Sequence, residues 1–217
     1  MDDLPQIVGP IPQGDGRGAG QQRTDRTNAA VSTQGHGKYA EQTSRGTVYC
    51  LATANTGATV AAGHVAPPAA AAATTLTLSN PVGSGVDFEI LYATLSHLTG
   101  TPGTGAWAYC VSPSSVISAT PNATAQPQKV GSAASKALGY TATALTAGLV
   151  HTTARLFANS VFAAAIDAAT QNKNVLDEVD GSIVIPPGFI LTLAPPATGT
   201  SHVVAAQIVF AEVVRPS

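Results

Sequence analysis

Asp87 and Glu89 stand two residues apart in the alternating run VDFEI, so a β-strand would project both carboxylates from one face, about 7 Å apart. Paired carboxylates suggest glycoside hydrolysis. One strand rarely supplies both members of such a pair, and a chain with a single Trp shows no aromatic-rich cleft. The segment LDEVDG (176–181) gathers Asp177, Glu178 and Asp180, oxygen ligands suited to calcium. It lacks the EF-hand spacing, and a solvated turn before the next strand is the simpler reading. The histidines His36, His64, His97, His151 and His202 are scattered, with no two at ligand spacing along the chain. A site shared between symmetry-related copies is the arrangement left to them.

The glycines of NPVGSGVDFEI (80–90) raise a phosphate cradle as a further chemistry. A Walker loop needs Gly-Lys-Ser/Thr opening a helix, and a dinucleotide fingerprint needs a third glycine and a helix N-terminus. Here the glycines carry no Lys and run into a strand pattern, so Asn80–Pro81 ends one strand and Gly83 and Gly85 supply positive-φ turn geometry. Ser84 lies on that turn with no nearby base and no G-x-S-x-G elbow. NAT (122–124) matches a glycosylation acceptor, which matters only in a secreted chain. The expectation is no catalytic residue, no metal and no cofactor.

The elements around these residues read as β-structure. TVYCLAT (47–53) and TTLTLS (74–79) are short runs rich in β-branched or aromatic residues, separated by the alanine-proline loop GHVAPPAAAAA. In VDFEILYATLSHL (86–98), Val86, Phe88 and Ile90 make one face apolar, and from Leu91 the other face becomes apolar through Ala93 and Leu95. That is the pattern of a long strand whose buried face changes at a bulge. GTPGTG (100–105) reads as a hairpin-type loop leading into AWAYCVS (106–112), and the two flanking strands form the best-marked supersecondary unit. Residues 113–150 suggest long loops with one or two short strands, for example around 136–145. ARLFANSVFAAAI (154–166) suits a helix or a strand, and the β surroundings favour strand.

Towards the C-terminus, GSIVIPPGFILTLAP (181–195) reads strand, Pro-Pro-Gly turn, strand. In SHVVAAQIVFAEVV (201–214), His202, Val204, Ala206, Ile208, Phe210 and Glu212 share one face. Strands at short spacing without βαβ alternation predict an all-β chain, an antiparallel β-sandwich or jelly roll over residues 46–217. Residues 1–45 are polar and glycine-rich, with five basic residues (Arg17, Arg23, Arg26, Lys38, Arg45) balanced by five acidic ones. Such a segment buries too little apolar area to fold alone, so it is either a loose tail or an extended N-terminal arm that orders against a neighbouring subunit, and the arm is the expected form. The residues that would dock it on a neighbour are Arg23, Arg26, His36, Tyr39 and Arg45.

Composition bounds the partners. Of the 217 residues only 10% are charged, against about 25% in average globular proteins. Between Gly46 and Gln128 there is no Lys or Arg, and Asp87 and Glu89 are the only acids. A monomer keeps itself soluble with a charged surface, so this stretch implies cover by copies of itself or by neighbours. A net charge of −2 gives no electrostatic case for nucleic acid, and no run approaches the about 20 apolar residues of a membrane span. MDDLPQIVGPIPQGDG is acidic and broken by proline, unlike a signal peptide. Cys50 and Cys110 fall in strand patterns and read as two small buried thiols.

Three stretches carry a resemblance. RTDRTNAAVSTQGHGKYAEQTSRGTVY (23–49) resembles a segment near the start of a group of tailed-bacteriophage structural proteins. There an arginine-bearing arm leads through His-Gly-x-Tyr-x-Glu, here His36, Gly37, Tyr39 and Glu41, to a first strand. TLTLSNPVGSGVDFEILYATLS (75–96) is similar to the Asn-Pro-x-Gly-Ser-Gly turn and strand of that group. DGSIVIPPGFILTLAP and QIVFAEV (207–213) look like its closing hairpin and final strand. The resemblance implies a virion structural protein assembled in the host bacterial cytoplasm, not an enzyme. It implies association with itself as a homotrimer and with the major capsid protein or other virion proteins, and no nucleic-acid or membrane partner. A head decoration or cement protein fits best; a tail, collar or fibre component facing host glycans is the alternative.

Overall fold

The computed structural model describes residues 23–24, 30–31, 38–59, 73–101, 106–117, 119–144, 152–156, 174–194 and 200–215. The chain divides into two compact units, Met1–Ala40 and Glu41–Ser217. In the first, β1 (Arg23–Thr24) pairs antiparallel with β2 (Ala30–Val31). Next comes a short helix, α1 (Ala40–Arg45), where an extended chain was expected. Its causes are local. Glu41 and Arg45 form an ion pair at the i,i+4 spacing that helices favour. Gly46, at φ 76°, donates its N–H to the Thr43 carbonyl, and Thr47 donates to that of Gln42, a Schellman ending.

The second unit is predominantly β. Along the chain follow β3 (Val48–Ala52), β4 (Ala58–Thr59), β5 (Ala73–Asn80), β6 (Val86–Thr101), β7 (Ala108–Pro113), β8 (Gln126–Pro127) and β9 (Leu138–Ala144). After these come β10 (Thr152–Leu156), β11 (Asn174–Glu178), β12 (Val184–Ile185), β13 (Phe189–Ala194) and β14 (Thr200–Val214). A five-stranded sheet has the order β10-β7-β13-β5-β9. A seven-stranded sheet has the order β11-β6-β14-β3-β8, with β12 also on β6 and β4 on β14. The named pairings are antiparallel.

Both sheets feed one buried apolar cluster. The five-stranded sheet contributes Leu76, Leu78, Tyr109, Leu191 and Leu193, and the seven-stranded sheet Leu51, Phe88, Ile90, Leu95, Ile208 and Phe210. The Phe88 and Phe210 rings pack 4.9 Å apart, and each fully buried side chain of this kind contributes about 1.5–3 kcal/mol. Trp107 is buried in the same cluster. The other face of the five-stranded sheet is buried too. It carries Thr77 and Thr192, whose hydroxyls hydrogen-bond to each other at 3.0 Å.

β6 changes its buried face as its sequence suggests. Against β14, Tyr92 lies opposite Val209 and Ile90 opposite Phe210, which leaves Leu91 as an extra residue. The freed Leu91 carbonyl accepts from the N–H groups of Val179 and Asp180, both at 2.8 Å. Before the bulge Phe88 and Ile90 face the core; after it Ala93 and Leu95 do.

Two expected pairings are not formed. β6 and β7 lie in different sheets, so the strands on either side of residues 102–107 are no hairpin. The Pro186–Pro187–Gly188 turn likewise joins β12, on β6, to β13, which lies between β5 and β7. In both cases a longer partner wins: β14 offers β6 fifteen residues to pair with, far more than the six of β7. Strands at 47–53, 74–79 and 201–214 are present as β3, β5 and β14, and β9 fills the expected 136–145 segment. For 154–166, β10 covers the start; the remainder lies outside the described residues.

Candidate functional site

The Gly-rich turn at 80–86 is built for structure. Asn80 ends β5 fully buried, and its carboxamide Nδ2 donates to the carbonyls of Val86 (2.8 Å) and Ile185 (2.9 Å). Ser84 N–H closes onto the Pro81 carbonyl at 3.2 Å, and Gly83 and Gly85 sit at φ 79° and 74°. A Cβ at either glycine would meet nothing within 4 Å, so these positions need glycine for the dihedral and not for space. The side chain of Asn80 therefore ties β5, β6 and β12 together.

The carboxylate candidates do not converge. Asp87 faces outward from β6 and pairs with Arg215, Oδ1 to Nε 3.3 Å, with Val213 opposite it on β14. Glu89 has Ala211 and Val184 as its cross-strand neighbours. On β11, Asp177 is buried while Glu178 is exposed on the opposite face, and Asp180 enters the following turn at φ 52°. Among the described residues no group of three or more His, Cys, Asp or Glu is placed to hold a metal. The Asn122 carboxamide is engaged on both sides, donating to the Thr141 carbonyl (2.9 Å) and accepting from its N–H (2.7 Å).

The arm-docking candidates are placed as follows. Arg23 is on β1, Tyr39 precedes α1 with Lys38 Nζ 5.7 Å above its ring, and Arg45 ends α1 in its ion pair with Glu41. Arg26 and His36 lie outside the described residues. Lys129 Nζ donates to the Ser44 carbonyl at 2.6 Å, which fastens the end of α1 to the loop after β8.

The two cysteines lie in different sheets and form no disulfide with each other. Cys110 is buried as expected, but Cys50 is only half-buried. It lies on the outer face of β3, its Sγ 3.7 Å from Gln207 Oε1, and partial burial pushes its thiol pKa up.

What the sequence spacing missed is a histidine pair. His97 follows Ala93 and Leu95 on the core face of β6, and His202 precedes Val204 and Ala206 on the core face of β14. Their rings lie 5.0 Å apart, inclined at 39°, and both residues are at most 3% exposed. Burial lowers the pKa of each; that of His202 falls to about 4, with His97 as a second cause. Both imidazoles are neutral at pH 7. The signal was in the alternation: each histidine continues an apolar face, and faces of neighbouring strands meet.

The outer face of the seven-stranded sheet is the other candidate. The registers set Cys50, Val209 and Tyr92 in one row and Ala52, Gln207 and Thr94 in the next. Ala205 and Ser96 form a third. None of these eight residues is charged, and all but the buried Val209 are at least partly accessible. Leu176 and Leu98 stand exposed beside them. Comparison with protein-family models, with curated proteins and with solved structures gave no match.

Proposed function

We propose that the chain is a structural subunit of a tailed-bacteriophage virion, a two-layer β-sandwich of jelly-roll type that associates with copies of itself as a homotrimer. The best-fitting role is head decoration or cement, in which residues ahead of α1 reach across to the major capsid protein. The observation that carries the proposal is an uncharged patch on the outer face of the seven-stranded sheet, bordered by Glu178 beside Tyr92 and by Asp87 and Glu89 further along β6. The patch of Tyr92, Thr94, Ser96, Ala205 and Gln207 carries no charge of its own to repel an identical patch, whereas a solitary soluble protein normally mixes both signs over such a surface. The resemblance at residues 23–49, 75–96, 180–195 and 207–213 supports the same reading.

The test has two arms. Light scattering on the purified chain is expected to give a trimer, and Thr94→Lys with Gln207→Lys to give a folded monomer. Heads stripped of the protein are expected to take up the full chain at a stoichiometry set by the major capsid protein, and not a chain lacking residues 1–37. A monomeric wild type defeats the self-association reading. Binding only to tails moves the role to the tail, collar or fibre.

A further inference from the structure

We propose that His97 and His202 form a two-imidazole site for a borderline divalent metal ion of the zinc class. The argument starts from cost. His97 is 3% exposed, and among the described residues neither of its ring nitrogens has a hydrogen-bond partner. A buried polar group in that state is destabilising, and an aliphatic side chain would fill the place without that penalty. Its neighbour at 5.0 Å is a second imidazole and not a carboxylate or hydroxyl, so the local chemistry is two neutral nitrogen ligands.

The spacing suits one shared ion. With a metal–nitrogen bond of about 2.0–2.1 Å and about 1.1 Å more to the ring centre, rings 5.0 Å apart correspond to a nitrogen–metal–nitrogen angle of about 100°. That is close to tetrahedral and far from linear, which favours zinc over a two-coordinate ion. Among the described residues no third His, Cys, Asp or Glu stands with them, so the pair supplies two ligands of the set.

The backbone here departs from regular pairing, which brings two diagonal side chains together. The β6–β14 register shifts between Thr200 and Val203 and again between Val203 and Val204, immediately around His202. Gly57 packs against this irregular stretch: a Cβ there would lie 2.8 Å from the Val204 carbonyl and 2.7 Å from Leu98 Cδ1. A bulged, tightly covered stretch holds its side chains in fixed directions, as a preorganised ligand pair requires.

The experiment uses the full chain after treatment with a chelator. Calorimetric titration with zinc chloride is expected to show one equivalent bound per chain. His97→Phe and His202→Phe are each expected to weaken binding at least tenfold, while alanine at His36, His64 and His151 together leaves it unchanged. X-ray absorption of the zinc-loaded wild type, which does not depend on any variant folding, is expected to show two imidazoles in the first shell. Absence of binding, retention of binding by His97→Phe, or a first shell without two imidazoles overturns the proposal.

Discussion

Asn80 shows how much one side chain contributes here and how little of that its sequence context reveals. An Asn before a Pro reads as a strand end, which it is, because both residues favour turns. That its amide points inward, donating to Val86 and Ile185 across two strand boundaries, depends on β12 arriving from more than a hundred residues away. Replacing Asn80 with Ala leaves two carbonyls without that donor, at about 1–3 kcal/mol each for those that stay buried. Asn80→Asp is worse, because it aims a carboxylate at the same two acceptors. Urea denaturation is expected to rank the three as Asn, then Ala, then Asp, with about 2–4 kcal/mol between the first two. An Asp variant as stable as the wild type would show that the clamp does not hold the turn.

At the scale of the element, what the sequence makes legible is the direction of side chains along one strand. The switch of apolar face at Leu91 could be read from residues 86–98 alone, and the two core-facing histidines follow from the same alternation. Which strand pairs with which could not be read, since Gly and Pro report that a chain turns and not which sheet it enters. The crossings after β6 and at Pro186–Pro187 arise from competition between partners, a property of the whole set of strands. The bulge makes a sharp prediction. Inserting an alanine between Tyr92 and Ala93, with the bulge kept, turns one half of β6 inside out, so that either Phe88 and Ile90 or Ala93 and Leu95 leave the core. Circular dichroism and tryptophan emission are expected to show loss of the native fold. Leu91→Val, which keeps the extra residue, is expected to cost under about 1.5 kcal/mol.

Over the whole molecule, charge is scarce and the groups that respond to pH are largely buried aromatics. Tyr49, Tyr92 and Tyr140 all have phenol pKa values raised above the ordinary 10.0, in each case mainly by burial. For Tyr49 the nearby Glu212 adds to the effect; that carboxylate also accepts from Ser135 Oγ (2.6 Å) and the Lys136 N–H (2.7 Å), holding the segment before β9 against β14. The Tyr49 hydroxyl donates to the Ala133 carbonyl in the same segment at 3.3 Å. The sign of the linkage follows directly. An acid with a raised folded pKa releases its proton more easily when unfolded, so its contribution is complete below pH 10 and is lost as pH climbs through the raised folded value. Stability is therefore expected to be flat from neutral pH to about 9 and to fall above 10, with phenolate absorbance appearing together with unfolding and not ahead of it. Tyr49→Phe is expected to make that alkaline fall shallower by up to about 1.4 kcal/mol per pH unit. Phenolate absorbance that develops in a still-folded chain at pH 10 would show that these rings are open to solvent and that burial is not what holds their protons.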